Sequence, residues 1–156
     1  MRLVKEYLPR AYANGNDIAA RAQMMSAAMM GATAFQKGLG AIHALSHPVG
    51  SVFNTHHGTT NAVCMPAVLD FNAEMIRDRF DMAAAYLGIE GGFEGFTAFV
   101  QSLNDQLGIP RTLSELGATP ERIDELAEMA IQDPSCGGNP VTLTIDNLKE
   151  LYRRCM

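Results

Sequence analysis

The sequence is short of the features that mark several protein classes. Only three of its 156 residues are cysteines, Cys64, Cys136 and Cys155. An odd count, wide spacing and no CxxC pair argue against a disulfide framework or a zinc ribbon. Taken alone, each thiol reads as a small buried hydrophobe. Charge is sparse too: 12 Lys plus Arg against 17 Asp plus Glu, a formal net charge of -5. The basic residues are scattered rather than clustered, so no nucleic-acid partner is expected. No apolar stretch is long enough to span a bilayer, so no membrane partner is expected either. Met1-Arg2-Leu3-Val4-Lys5-Glu6 is charged and amphipathic and holds no signal-peptide core, which makes a cytoplasmic location the expectation. Strand signals are almost missing. Val52-Phe53 and Val141-Thr142-Leu143 are too short to carry a sheet.

What is present is helix after helix. Hydrophobic residues make up 47% and charged residues 19%, the balance of a globular chain with one core. Leu3 to Ala13 reads as a short amphipathic helix closed by Asn14-Gly15, and Asn16 or Asp17 offers a cap oxygen to the next. That next helix, Ile18 to about Gln36, carries Ala, Met, Ser and Gly on nearly every face, the pattern of a buried helix whose Met24, Met25, Met29 and Met30 fill a core. Further helices are expected over Ala41 to Phe53, Gly58 to Met75, Arg77 to Leu87, Phe93 to Leu107, Arg122 to Ile131 and Thr144 to Arg154. Pro48 and Pro66 each remove a backbone donor and are expected to kink or restart their helices. Thr119 and Thr144 are placed to cap. Gln132 to Leu143, with its Asp133-Pro134, Gly137-Gly138 and Asn139-Pro140, is the most irregular stretch, and a long loop in a compact domain is often functional.

All four histidines fall within fifteen residues: His43, His47, His56 and His57. His43 and His47 are four apart, so a helix puts both imidazoles on one face, one turn from each other. A turn at Asn54-Thr55 then brings His57 back, and three rings can converge. Imidazole suits zinc, iron, copper and nickel, and open catalytic sites combine such donors with a carboxylate and a free position. No carboxylate lies close in sequence. Asp70 is the nearest, and it reads as a solvated helix-end residue. On spacing alone a structural cluster and a metal site weigh about equally.

These residues carry a resemblance. Gly38-Leu39-Gly40-Ala41-Ile42-His43-Ala44-Leu45-Ser46-His47-Pro48-Val49-Gly50, followed by Asn54-Thr55-His56-His57-Gly58-Thr59-Thr60-Asn61-Ala62-Val63-Cys64-Met65-Pro66, resembles the signature of the iron-containing (group III) alcohol dehydrogenases. Leu3 to Gly15, Cys136 to Pro140 and Leu148-Leu151-Tyr152 extend it more loosely over the whole chain. The resemblance implies an all-α fold, the multi-helix, dehydroquinate synthase-like C-terminal domain, spanning 1–156 without the N-terminal nucleotide-binding domain. It implies an enzyme that interconverts alcohols and aldehydes or ketones with NAD(P), using Fe2+ or Zn2+ held by one Asp and three His. By motif, His43 and His57 are two of those ligands. His47 is a non-ligating proton relay, and Cys136 lies near the substrate pocket. His56 receives no role. The Asp and the remaining His of the set are expected upstream of Leu3, so this chain alone is expected to bind metal weakly and to turn over little. A small alcohol or aldehyde substrate and a homodimer are the expected partners. The alternatives are a catalytically incompetent module for oligomerisation or metal binding, and a site built from all three imidazoles of His43, His47 and His57.

Overall fold

A computed structural model describes residues 1–156. Eight α-helices account for most of the chain: α1 (Arg2–Ala13), α2 (Ile18–Ala34), α3 (Ala41–Phe53), α4 (His57–Phe71), α5 (Ala73–Leu87), α6 (Gly92–Gln106), α7 (Ile123–Ile131) and α8 (Ile145–Cys155). There is no strand. The all-α expectation holds because almost every segment pairs a helical apolar period with a chemical stop. Asp17 caps α2 by accepting the Ala20 N–H. Gly88 ends α5 in the left-handed region at φ 63°. Thr144 and Asn147 form a reciprocal capping box at the head of α8.

Some boundaries differ from those the sequence suggests. The stretch read as one helix from Gly58 to Met75 is two, α4 and α5, divided at Asn72. Pro48 and Pro66 lie inside α3 and α4, and neither restarts its helix. Packing of both flanks holds each helix through the missing bond. Thr119 makes no capping bond. A short 3-10 turn over Pro120–Arg122 leads into α7 instead.

The core is in two parts. The larger is built by α3, α4, α7 and α8, where Leu45, Val49, Cys64, Leu126, Leu148, Leu151 and Tyr152 pack together. Tyr152 is the largest fully buried side chain, and its hydroxyl donates to the Leu45 carbonyl at 2.9 Å, joining α8 to α3. The smaller part joins α5 and α6 through edge-on contacts among Phe80, Phe93 and Phe96, with Leu69 from α4. The α1–α2 hairpin stands apart from both. The reading of α2 as a buried helix is corrected: only Ala20 is buried, and Met25, Met29 and Met30 are all exposed, Met25 at 74%. Outside the side that meets α1, its apolar surface has no neighbour within this chain. Lys5 Nζ, donating to the Leu87 carbonyl at 2.6 Å, ties the hairpin to the end of α5.

One buried polar joint sets the position of the segment between α7 and α8. Asn139 Oδ1 accepts from Asn72 Nδ2 at 3.0 Å, and Asn139 Nδ2 donates back to Asn72 Oδ1 at 2.9 Å. Asn139 Oδ1 also accepts the Ala41 N–H at 3.1 Å, at the head of α3, where Gly40 has no side chain to cap with. Beside it Gly138 passes so close to the Leu39 carbonyl that an added Cβ would overlap the oxygen at 1.9 Å. Only glycine permits that approach.

Candidate metal centre

α3 places His43 and His47 one turn apart. At its end Asn54 adopts a left-handed conformation, φ 53°, the one non-glycine residue of the chain to do so. Asn tolerates that region better than most residues. The reversal brings α4 back beside α3 and delivers His57 at its first turn. His56, left without a role by the sequence, caps this helix: its Nδ1 accepts the Thr59 N–H at 3.3 Å. The three other rings form a nearly equilateral triangle. Centroids are 5.3 Å apart for His43–His57, 5.3 Å for His47–His57 and 5.6 Å for His43–His47. Phe35 stands edge-on to His43 at 6.1 Å on the side nearest α2.

Within the triangle the nitrogens divide into two groups. His43 Nε2 and His57 Nε2 turn toward one point and share a single donor, the Asn61 amide, at 3.4 and 3.0 Å. His47 turns its Nδ1 away to Asp133 Oδ2 at 2.7 Å. His43 Nε2 and His57 Nε2 thus meet at one amide, and His47 is held through Nδ1 to Asp133. Burial, and the neighbouring His57 and His47, hold the His43 pKa below its ordinary value. That favours the neutral ring, the form a metal takes as ligand. Asn61 Oδ1 is buried with no hydrogen-bond partner, a polar atom that normally finds one.

Asp133 is the partner of His47 that sequence reading missed. It lies 86 positions from His47, and only the irregular loop around it gave a signal. Burial pushes its carboxyl upward, but hydrogen bonds from Ser135 and His47 outweigh that and hold the pKa below its ordinary value. Cys136 follows on the same loop, half-buried, its thiol donating to the Ala130 carbonyl at 3.0 Å. Burial and Asp133 raise the thiol pKa, so it is poorly suited as a nucleophile. Cys64 and Cys155 are buried and free. Asp70 pairs with Arg154 at 2.9 Å on the surface, far from the histidines in role.

No three His, Cys, Asp or Glu side chains are grouped to hold an ion by themselves. The two-imidazole and three-imidazole readings differ in whether His47 also donates. An iron or zinc ion fits the pair His43 and His57, which both readings share. His43 Nε2 and His57 Nε2 meet at the Asn61 amide beside its unpaired buried oxygen, and imidazole is a borderline ligand suited to both metals.

The comparisons with known proteins agree in kind. The model of the Fe-containing alcohol dehydrogenase family, C-terminal, matches residues 1–156. The chain belongs to that family. It is 36% identical, over an alignment of 164 residues, to the NAD-dependent methanol dehydrogenase of Bacillus methanolicus, covering 100% of this chain and 43% of that relative. It is 37% identical over 159 residues to the 4-hydroxybutyrate dehydrogenase of Cupriavidus necator, covering 96% of this chain and 41% of that one. The crystal structure of a 1,3-propanediol oxidoreductase superposes with a TM-score of 0.94 at 29% identity, covering 99% of this chain and 43% of that one. Among these Fe-containing alcohol dehydrogenases the chain spans about two fifths of each relative's length.

Proposed function

We propose that this chain is the metal-holding part of an NAD(P)-linked alcohol dehydrogenase that interconverts small alcohols with aldehydes or ketones. The observation that carries the reading is the convergence of His43 Nε2 and His57 Nε2 on one point while His47 is turned aside to Asp133. His43 and His57 would hold Fe2+ or Zn2+. Bound there, the ion supplies Lewis acidity toward a substrate oxygen, and the nicotinamide accepts or gives the hydride. The chain's own residues do the rest. His47, at the open side of the triangle with 42% of its side chain exposed, takes up and returns the substrate proton. Asp133, on the loop that also carries Cys136, holds this ring from its Nδ1 side.

Two imidazoles are half of the four-ligand set the resemblance implies, so the chain alone is expected to bind metal weakly. Zinc titration by calorimetry tests the assignment. His43→Ala and His57→Ala should each abolish the heat of binding, and His47→Ala should retain it. Loss of binding in His47→Ala would instead restore the three-imidazole site. An assay of the isolated chain with ferrous ion, nicotinamide cofactor and a short aldehyde should show no turnover. Robust reduction would refute the division of the site between this chain and a further segment.

A further inference from the structure

The contact between Asp133 and His47 fixes more than a position. Pro134 starts a 3-10 turn directly after Asp133, and Asp133 Oδ1 accepts the Ser135 N–H at 2.8 Å to head it. That bond orients the carboxylate and leaves Oδ2 facing His47 Nδ1 at 2.7 Å. The carboxylate is only 13% exposed, against 42% for the ring, so water does not easily take the ring's place. The loop carrying it is pinned by the Asn72–Asn139 pair and by the close passage of Gly138 over Leu39. An ionised carboxylate has acceptors and no donor. The proton between the two groups therefore sits on Nδ1. A neutral imidazole carries one N–H, so Nε2 keeps its lone pair.

We propose that Asp133 is a positioning residue that locks His47 in the Nδ1–H tautomer and so makes Nε2 the nitrogen that exchanges the substrate proton. The role rests on the dehydrogenase reading above. In alcohol oxidation the hydroxyl proton would pass to Nε2, and a bound nicotinamide would take the hydride of the C–H bond as the carbonyl forms. The ring then carries two N–H groups and a positive charge, which Asp133 stabilises at its other nitrogen. Carbonyl reduction runs the same transfers backward, with Nε2 giving the proton to the oxygen. Without the carboxylate, the ring can hold its proton on Nε2, where it cannot accept another.

The test is two-bond proton–nitrogen correlation NMR on the nitrogen-15-labelled, metal-free chain at about pH 8.5, two units above the ordinary imidazole value. His47 should show a protonated Nδ1 and a bare Nε2. Asp133→Ala should move it toward the Nε2–H form or a mixture. A wild-type His47 protonated on Nε2 overturns the proposal even if the variant does not fold. An unchanged tautomer in a folded Asp133→Ala also overturns it. Zinc titration of the same two proteins separates positioning from ligation. Affinities within about twofold support a role through His47, and a tenfold loss, about 1.4 kcal/mol, would make Asp133 a ligand and overturn the positioning role. Absence of zinc binding in the wild type sinks the metal reading and leaves the tautomer to be decided by NMR.

Discussion

At the scale of single residues, the three imidazoles of the triangle are divided between two partners. His43 and His57 share Asn61, and His47 has Asp133. On the proposed reading, one ring type would serve both as metal ligand and as proton carrier. The His positions were legible because helix spacing and the short turn from Asn54 to His56 are local. Asp133 was not, because nothing near His47 in sequence points to a loop 86 residues on. Its carboxylate also gives the site a pH signature. The folded pKa lies below the ordinary 3.8, so between the two values the unfolded chain binds more protons than the native one. The stabilisation is complete above the ordinary value and is lost as pH falls through the lower folded one. At pH 7, Asp133→Asn should melt about 2–4 °C below wild type, the shift that about 1 kcal/mol makes in a chain of this size. Thermal scans at pH 3 should show the gap closing. An equal gap at both pH values would mean the carboxylate charge contributes nothing.

At the scale of elements, Asn72 shows how a local signal is redirected. It stands just before α5, a position where Asn usually caps, yet it makes no side-chain cap bond to that helix. Its amide instead pairs with Asn139, whose oxygen also receives the head of α3. Three segments meet at two side chains: the α4–α5 junction, the α3 N-terminus and the loop that holds Asp133 and Cys136. Asn139→Ala strands the buried Asn72 Nδ2 and the Ala41 N–H and should destabilise by about 1–3 kcal/mol in urea titrations. Asn72→Ala should cost less, because Asn139 keeps the Ala41 N–H and the Val141 carbonyl as partners. The double variant should fall short of the sum by about 1–2 kcal/mol, the coupling expected of residues in direct contact. Strict additivity would mean the joint does not act as a unit. Sequence alone ran α4 and the start of α5 together because Asn72 interrupts the helix without a Gly or Pro, and its partner is 67 residues away.

At the scale of the whole molecule, stability is unevenly shared. α3, α4, α7 and α8 enclose the larger core, and α5 with α6 adds a smaller aromatic one. α1 contributes no buried residue and α2 only Ala20. Regions with little buried apolar surface open first. Amide hydrogen exchange should therefore be fastest in α1 and α2 and slowest in α3 and α8. Protection of α2 equal to that of α3 would show that its methionine face is covered in solution. The exposed face also marks the limit of sequence reading. An apolar helix is legible as one that seeks cover, but its sequence does not say whether the cover lies in the same chain. What the sequence determined by itself is what short range controls: helices where the apolar period runs 3.6 residues, stops at Gly and Asn, and two histidines one turn apart. The tertiary structure decided everything that depends on segments distant in the chain: which imidazole nitrogens converge, which carboxylate turns His47, and which amide joins three elements. Those contacts arise from packing many weak apolar surfaces at once, and no single stretch of sequence encodes their sum.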